Sequence, residues 1–418
     1  MNELQLNLEN LEDRLLLSGN VFTQGANLVV EGTSAADTVE VRQVGSNLRV
    51  LVNNFDHGQF ALPAGSINID TFAGADTITF QAGIAVDAIV DSGTGNDTIR
   101  TGAGNDQITT GIGNDQVFGR AGDDVILGEN GNDFLNGQDG NDVLDAGSGQ
   151  NTLSGGEGDD QIIGDITNDL FINVDTIFGG PGDDNINSRF GTVDTVRGGT
   201  GDDTILVRGG TIFGGAGNDN IASSGSSTIH GDSGDDVIEN LFANSGNDLI
   251  FGGGGNDIIR AGNGEDTVFG GPGDDFINGG RGEDILHGEA GDDVIFGASF
   301  DDEIHGGAGN DTLNGSLGND TIFGGTGVDT ISGDEQNDII FGEGGNDIIF
   351  GNDGFDELHG GTGNHAIAGG KDDDEVFGDG GLDTLAGGAG NDSLDGGIST
   401  DTALDLGELL HINIENNI

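Results

Sequence analysis

From Asp248 onward an aspartate returns every nine residues, at Asp257, Asp266, Asp275, Asp284, Asp293, Asp302, Asp311, Asp320, Asp329, Asp338, Asp347, Asp356, Asp374, Asp383, Asp392 and Asp401. One of these eighteen registers departs, with His365 in the aspartate's place. Two residues after each position stands an aliphatic, from Ile250, Ile259, Val268 and Ile277 down to Leu394, and the weaker Ala403 ends the series. An earlier block keeps the period at Asp97, Asp106, Asp115, Asp124, Asp133, Asp142 and Asp160, with Asn151 breaking one register. Phased on the acid, a unit reads Gly270-Gly271-Pro272-Gly273-Asp274-Asp275-Phe276-Ile277-Asn278. Nine residues cannot bury a core alone, so only the stacking of neighbouring units can make this chain fold.

The unit divides into two parts. Six residues rich in Gly, Asn and Asp favour a tight turn. The other three favour an extended strand, with the middle aliphatic pointing inward and its neighbours outward. Two units close one coil, so residues eighteen apart stack about 4.8 Å from each other. The expected class is all-β: a right-handed parallel β-roll, or β-helix solenoid, of nine-residue repeats with a β-rich N-terminal cap.

Composition sharpens the problem. The 418 residues include 75 Asp or Glu against 11 Lys or Arg, a formal net charge of −64. Such a chain cannot hold nucleic acid by neutralising phosphates, nor sit on an anionic membrane surface. With no cysteine it has neither disulfides nor thiolate metal sites. No apolar stretch is long enough to span a membrane. Carboxylates stacked at strand spacing repel and cannot all ionise without a counter-ion. Calcium suits the purpose, because it takes six to eight oxygens in flexible geometry and glycine turns expose carbonyls. Magnesium demands stricter octahedral geometry. Zinc prefers His and Cys clusters, and the seven histidines are scattered.

The unit resembles G-G-x-G-x-D-x-U-x, the repeat of the RTX (repeats-in-toxin) calcium-binding proteins. The resemblance covers about residues 91–404, in perfect phase over 91–163 and 243–404. It implies a parallel β-roll with calcium between successive turns on one side, held by turn carbonyls and the motif aspartates of units two apart. Asp275 would then work with Asp293, and Asp311 with Asp329. His365 should weaken the sites that pair it with Asp347 and Asp383, and Asn151 those of its own register. Aspartate pairs eighteen apart number five in the first block and fourteen in the second. If each pair holds one ion, about nineteen calcium ions reduce −64 to about −26. Between the blocks, 164–242 keeps the chemistry and loses the spacing, with Asp184, Asp203, Asp219 and Asp236 separated by 19, 16 and 17. Stretches such as Thr192-Val193-Asp194-Thr195-Val196 read as coils of altered length within the same solenoid.

The ends differ. Residues 21–90 have fewer glycines and alternating strands such as Thr38 to Arg42, Asn47 to Val52 and Thr77 to Phe80, which suit an N-terminal cap. Asp37 and Asp76 read as degenerate versions of the same unit. Residues 1–20 form a targeting-like segment, in which Leu11-Glu12-Asp13-Arg14-Leu15-Leu16-Leu17-Ser18 resembles the LEPR-XLL segment of many large planctomycete surface proteins, with Asp13 where that motif has Pro. Residues 405–418 read as a C-terminal cap, in which Leu409, Leu410, Ile412 and Ile414 could close the core, and they resemble RTX secretion signals.

Other chemistry is sparse. There is no H-E-x-x-H, G-x-S-x-G or Walker-type loop. One outward stripe, Phe251, Phe269, His287, His305, Phe323, Phe341, His359 and Phe377, is not required by the motif. It reads either as stacked rings supporting the roll or as a surface for glycans or another roll. The expectation is a secreted or cell-surface calcium-binding protein that folds on calcium and has a structural or adhesive role. Glycans or other surface proteins are its expected partners. The alternative is a non-catalytic module of, or a small, polysaccharide-active enzyme of the epimerase or lyase type.

Overall fold

The computed structural model describes residues 19–164, 174–188, 194–240, 246–404 and 411–413. The LEPR-XLL-like segment and most of the C-terminal tail, including Leu409, Leu410 and Ile414, lie outside them. All regular structure among the described residues is β. Residues 1–208 and 209–418 form two compact units.

The first unit opens with antiparallel hairpins: β1 (Asn20–Gln24) pairs with β2 (Asn27–Glu31), and β3 (Thr38–Val44), β4 (Asn47–Val52) and β5 (Phe55–Ala61) form a meander. In β4 the alternation expected of a half-buried strand holds, with Leu48, Val50 and Val52 inside. Strands β2 and β3 are also the first rungs of two parallel stacks, Leu28 opposite Ile67 and Val39 opposite Ile78. The step there is 39 residues because a hairpin is inserted. Parallel coiling therefore begins inside the stretch read as the cap.

Beyond that, successive strands alternate between two parallel sheets. Ile99 stacks on Val117 and Ile108 on Ile126, eighteen residues apart. The step lengthens to 24 at Leu153–Ile177 and Ile162–Ile186, then becomes 19 at Ile177–Val196 and Ile186–Ile205. In the second unit it is 17 at Ile212–Ile229, 21 at Ile229–Ile250, and eighteen from Ile250–Val268 to Leu385–Ala403. Across these changes of step the aliphatics keep their register. Ile412 stands opposite Leu394, in the register of the core ladder.

Strand length differs from the expectation of three residues. Most strands of the second unit run six, as in Phe276–Arg281, because the first half of the next turn stays in the ladder, with Gly280 opposite Ala298 and Arg281 opposite Ser299. The core is an aliphatic ladder, one residue per unit: Ile304, Leu313, Ile322, Ile331 and Ile340 are all essentially inaccessible. Replacing Ile322 by Ala is expected to cost about 2–5 kcal/mol in denaturation of the calcium-loaded chain. Each coil touches only its neighbours, so hydrogen exchange should quicken around Ile304 and Ile340 while Ile126 keeps its protection.

Candidate metal centres

Each motif aspartate lies at the inner edge of a turn, two residues before a buried aliphatic of the strand, and its side chain folds back into the turn. There it meets the next coil. The N–H of Asp275 donates to Oδ1 of Asp293 at 2.8 Å, and the N–H of Asp311 donates to Oδ1 of Asp329 at 2.9 Å. The expected pairing of units two apart is thus a continuous column of aspartates. In the first unit one column runs Asp97, Asp115, Asp133, Asn151 and the other Asp106, Asp124, Asp142, Asp160, Asp184, Asp203. In the second unit one column holds Asp219, Asp236, Asp257, Asp275, Asp293, Asp311, Asp329, Asp347, His365, Asp383 and Asp401. The other holds Asp248, Asp266, Asp284, Asp302, Asp320, Asp338, Asp356, Asp374 and Asp392.

Spacing alone missed two members. Asp175 and Asp194 continue the Asn151 column at steps of 24 and 19, which a nine-residue count cannot reach. A local signal was present, since both sit in the Asp-Thr-aliphatic pattern of Asp175-Thr176-Ile177 and Asp194-Thr195-Val196. Asp37 and Asp76, read as degenerate units, join the column that continues through Asp97.

The second carboxylate oxygen makes the chemistry. Oδ2 of Asp124, Asp142, Asp275, Asp293, Asp311 and most of their counterparts is buried and has no hydrogen-bond partner. A buried anionic oxygen without a partner is costly. Accordingly the carboxyls are pushed up, to about 8 in Asp124, Asp302 and Asp338 and about 7 in Asp275, Asp284 and Asp293. Burial is the main cause, and the charges above and below in the column add to it. The accepted backbone N–H partly offsets both.

Oδ2 points at a glycine five residues earlier. A Cβ on Gly270 would lie 2.3 Å from Asp275 Oδ2 and 2.9 Å from the carbonyl oxygen of Gly288 in the next coil. On Gly306 it would lie 2.5 Å from both Asp311 Oδ2 and the Gly324 carbonyl. The missing side chain leaves a cradle bordered by an unpaired carboxylate oxygen and a carbonyl. These hard oxygen donors fit calcium. Among the described residues no three His, Asp or Glu side chains gather at one point, so such a site draws mainly on backbone oxygens.

Not every predicted aspartate borders an open cradle. Thr71, Ser92, Thr101 and Thr110 stand where glycine stands elsewhere. Thr101 Oγ1 donates to the Gly119 carbonyl at 2.8 Å, Thr110 Oγ1 to that of Gly128 at 2.7 Å, and Ser92 Oγ to that of Thr110 at 3.0 Å. Burial still raises the carboxyls of Asp106, Asp115 and Asp97, and the same hydroxyls, standing beside them, offset it in part. Asn240 Nδ2 reaches Asp248 Oδ2 at 2.6 Å, and the buried Ala261 brings a methyl to the place that glycine has for Asp275. At His365 the ring itself enters: its Nδ1 lies 3.2 Å from Asp347 Oδ2, and its Cδ2 lies 2.6 Å from the Cβ position of Gly360. That coil has an imidazole where its neighbours have a carboxylate oxygen.

Two outcomes follow. The raised folded-state pKa values lie above the unfolded value near 3.9. Without metal, the columns therefore add stability below about pH 4 that is lost as pH rises through 6 to 8. Far-ultraviolet circular dichroism in EDTA should show β signal at pH 4 that declines between pH 6 and 8. The filled cradles give the second outcome. In EDTA at pH 7.5, hydrogen exchange should leave amides around Ile99, Ile108 and Val117 better protected than those around Ile277, Ile304 and Ile322.

No curated protein matches the chain. The family model for the RTX calcium-binding nonapeptide repeat matches residues 91–171 and 174–403 in overlapping segments, across the irregular coils as well as the regular blocks. With the aspartate columns and their glycine cradles, that match identifies the chain as a member of the RTX calcium-binding nonapeptide repeat family.

Proposed function

We propose that this is a secreted or cell-surface protein whose coils become ordered on binding calcium and which serves a structural or adhesive role. The observation that carries the reading is the row of buried Oδ2 atoms without hydrogen-bond partners, most facing a glycine and many, as at Asp275 and Asp311, also a carbonyl of the next coil. Calcium supplies the positive charge these oxygens need. Asp124, Asp142, Asp160, Asp184, Asp219, Asp236, Asp257, Asp275, Asp293, Asp311, Asp329 and their partners in the second column contribute the carboxylates. The backbone N–H groups hold each carboxylate by Oδ1 and leave Oδ2 aimed inward. His365 interrupts one column, and in the hydroxyl-filled coils Thr101 and Thr110 already bond the carbonyl that an ion would use.

The environment follows from the chemistry. Weak, multiple, oxygen-only sites are filled at the millimolar calcium of extracellular fluid and left empty at cytosolic levels. An expanded, mutually repelling chain is suited to export, and filling the columns then couples folding to arrival outside. An acidic surface loaded with calcium suits a scaffold or a calcium-bridged contact with glycans or surface proteins.

Equilibrium dialysis tests the ligand assignment. Asp293 takes part in two pairs, with Asp275 and with Asp311. Asp293→Asn should lower bound calcium by about two ions per chain. Undiminished binding would remove Asp293 from the ligand set. Location is tested by fractionating cells that make the full chain: recovery from the medium or the washed surface supports the proposal, and retention in the cytosol contradicts it.

A further inference from the structure

The outward stripe is a stack of rings, and it is longer than its spacing suggested. From Phe213 through His230 and on to Phe377, ten phenylalanine and histidine rings lie face to face, with centroids 4.6–5.2 Å apart and planes within 16°. Phe213 and His230 join across the irregular steps of 17 and 21, which the regular count did not include. Each interior ring has both faces covered by its neighbours. The stripe therefore presents only ring edges along its length, and a flat ligand cannot stack there.

The end at Phe377 is different. His359 covers one face, at 4.6 Å. The residue in register on the other side is Asp395, and among the described residues no ring lies there. A cavity of about 430 Å³ borders Phe377, Thr362, Asp379, Asp395 and Ile398, and Ile398 is 81 % exposed. Asp379 Oδ2 accepts the N–H of Gly361 at 3.2 Å and lies 3.7 Å from His359 Nδ1. Asp395 Oδ1 accepts the N–H of Gly397 at 3.1 Å. The cavity thus has one aromatic wall and two carboxylates.

Elsewhere in the same sheet the chain covers such a face itself. The Arg100 guanidinium lies 4.7 Å from the centre of the Phe118 ring, its neighbour in register, and Arg197 lies 5.7 Å from Phe178. At Phe377 the register position that would carry the arginine carries Asp395. Among the described residues the ring has counter-charges beside it and no guanidinium on its face.

We propose that the Phe377 end of the stack binds a planar cation of the guanidinium type, presented by an arginine side chain of a basic protein segment. The guanidinium stacks on the open ring face while its N–H groups meet Asp379 and Asp395, joining cation–π attraction to charge-assisted hydrogen bonding. Arginine suits this geometry better than lysine, because its planar fork stacks and bonds at once. The surplus negative charge of the chain brings such partners in.

The probe is a tetra-arginine peptide, titrated calorimetrically against the full chain in millimolar calcium and ordinary salt, with tetra-lysine as comparison. Each variant is first checked for β signal, so a failure of calcium-dependent folding is distinguished from a failure of this site. Tetra-arginine should bind about tenfold more tightly than tetra-lysine. Phe377→Leu and Asp395→Asn should each remove that preference, while Phe269→Leu, at an interior ring, should leave it intact. Equal binding of both peptides, or a preference that survives Phe377→Leu and Asp395→Asn in folded protein, overturns the proposal. So does capture at Phe377 of a neutral glucose oligomer in place of the peptide.

Discussion

A carboxylate buried in a column of carboxylates is the constraint on which this structure depends. Stacking is the only route to a core for nine-residue units, and stacking brings the acids to within one strand spacing of each other. The fold places them inside the turns all the same, with Asp275, Asp293 and Asp311 almost wholly inaccessible. Burial and mutual repulsion both favour the neutral acid at ordinary pH. Either protons or metal ions must therefore accompany the folded state, and near neutrality a hard divalent cation is much the better partner.

The rest of the unit is arranged around that requirement. The backbone N–H of each aspartate fixes one oxygen of the next, so that the carboxylate cannot turn away. A glycine opposite the other oxygen keeps the cradle empty, and any side chain there would stand within bonding distance of the carboxylate, as at Gly270 and Gly306. The aliphatic two residues later anchors the turn to the ladder. Where the cradle is filled, the replacement is chemically apt: Thr101 and Thr110 supply a hydroxyl that bonds the very carbonyl a metal would have used.

Much of this was legible in the sequence, for a physical reason. A period of nine leaves little freedom, since the register of the aliphatics determines the coil and the coil brings residues eighteen apart together. The fold class, the pairs Asp275–Asp293 and Asp311–Asp329, and the disturbance at His365 could all be read that way. What could not be read depended on the interior of the turn. Asp175 and Asp194 lie beyond insertions that break the count, although a three-residue pattern marks them. The difference between Asp106 and Asp124 rests on whether Thr101 or Gly119 faces the carboxylate, and spacing carries no information about a cradle's contents. The ring stack was visible in its regular part, but only the structure shows that its faces are covered along its length.

The most direct test is a crystal structure grown in millimolar calcium, with anomalous scattering used to place the ions. The account predicts calcium peaks within the glycine cradles, beside Oδ2 of Asp275, Asp293 and Asp311, and none beside the hydroxyls of Thr101 and Thr110. Glycine cradles without calcium in a folded chain, or ions distributed equally over glycine and hydroxyl coils, would contradict it.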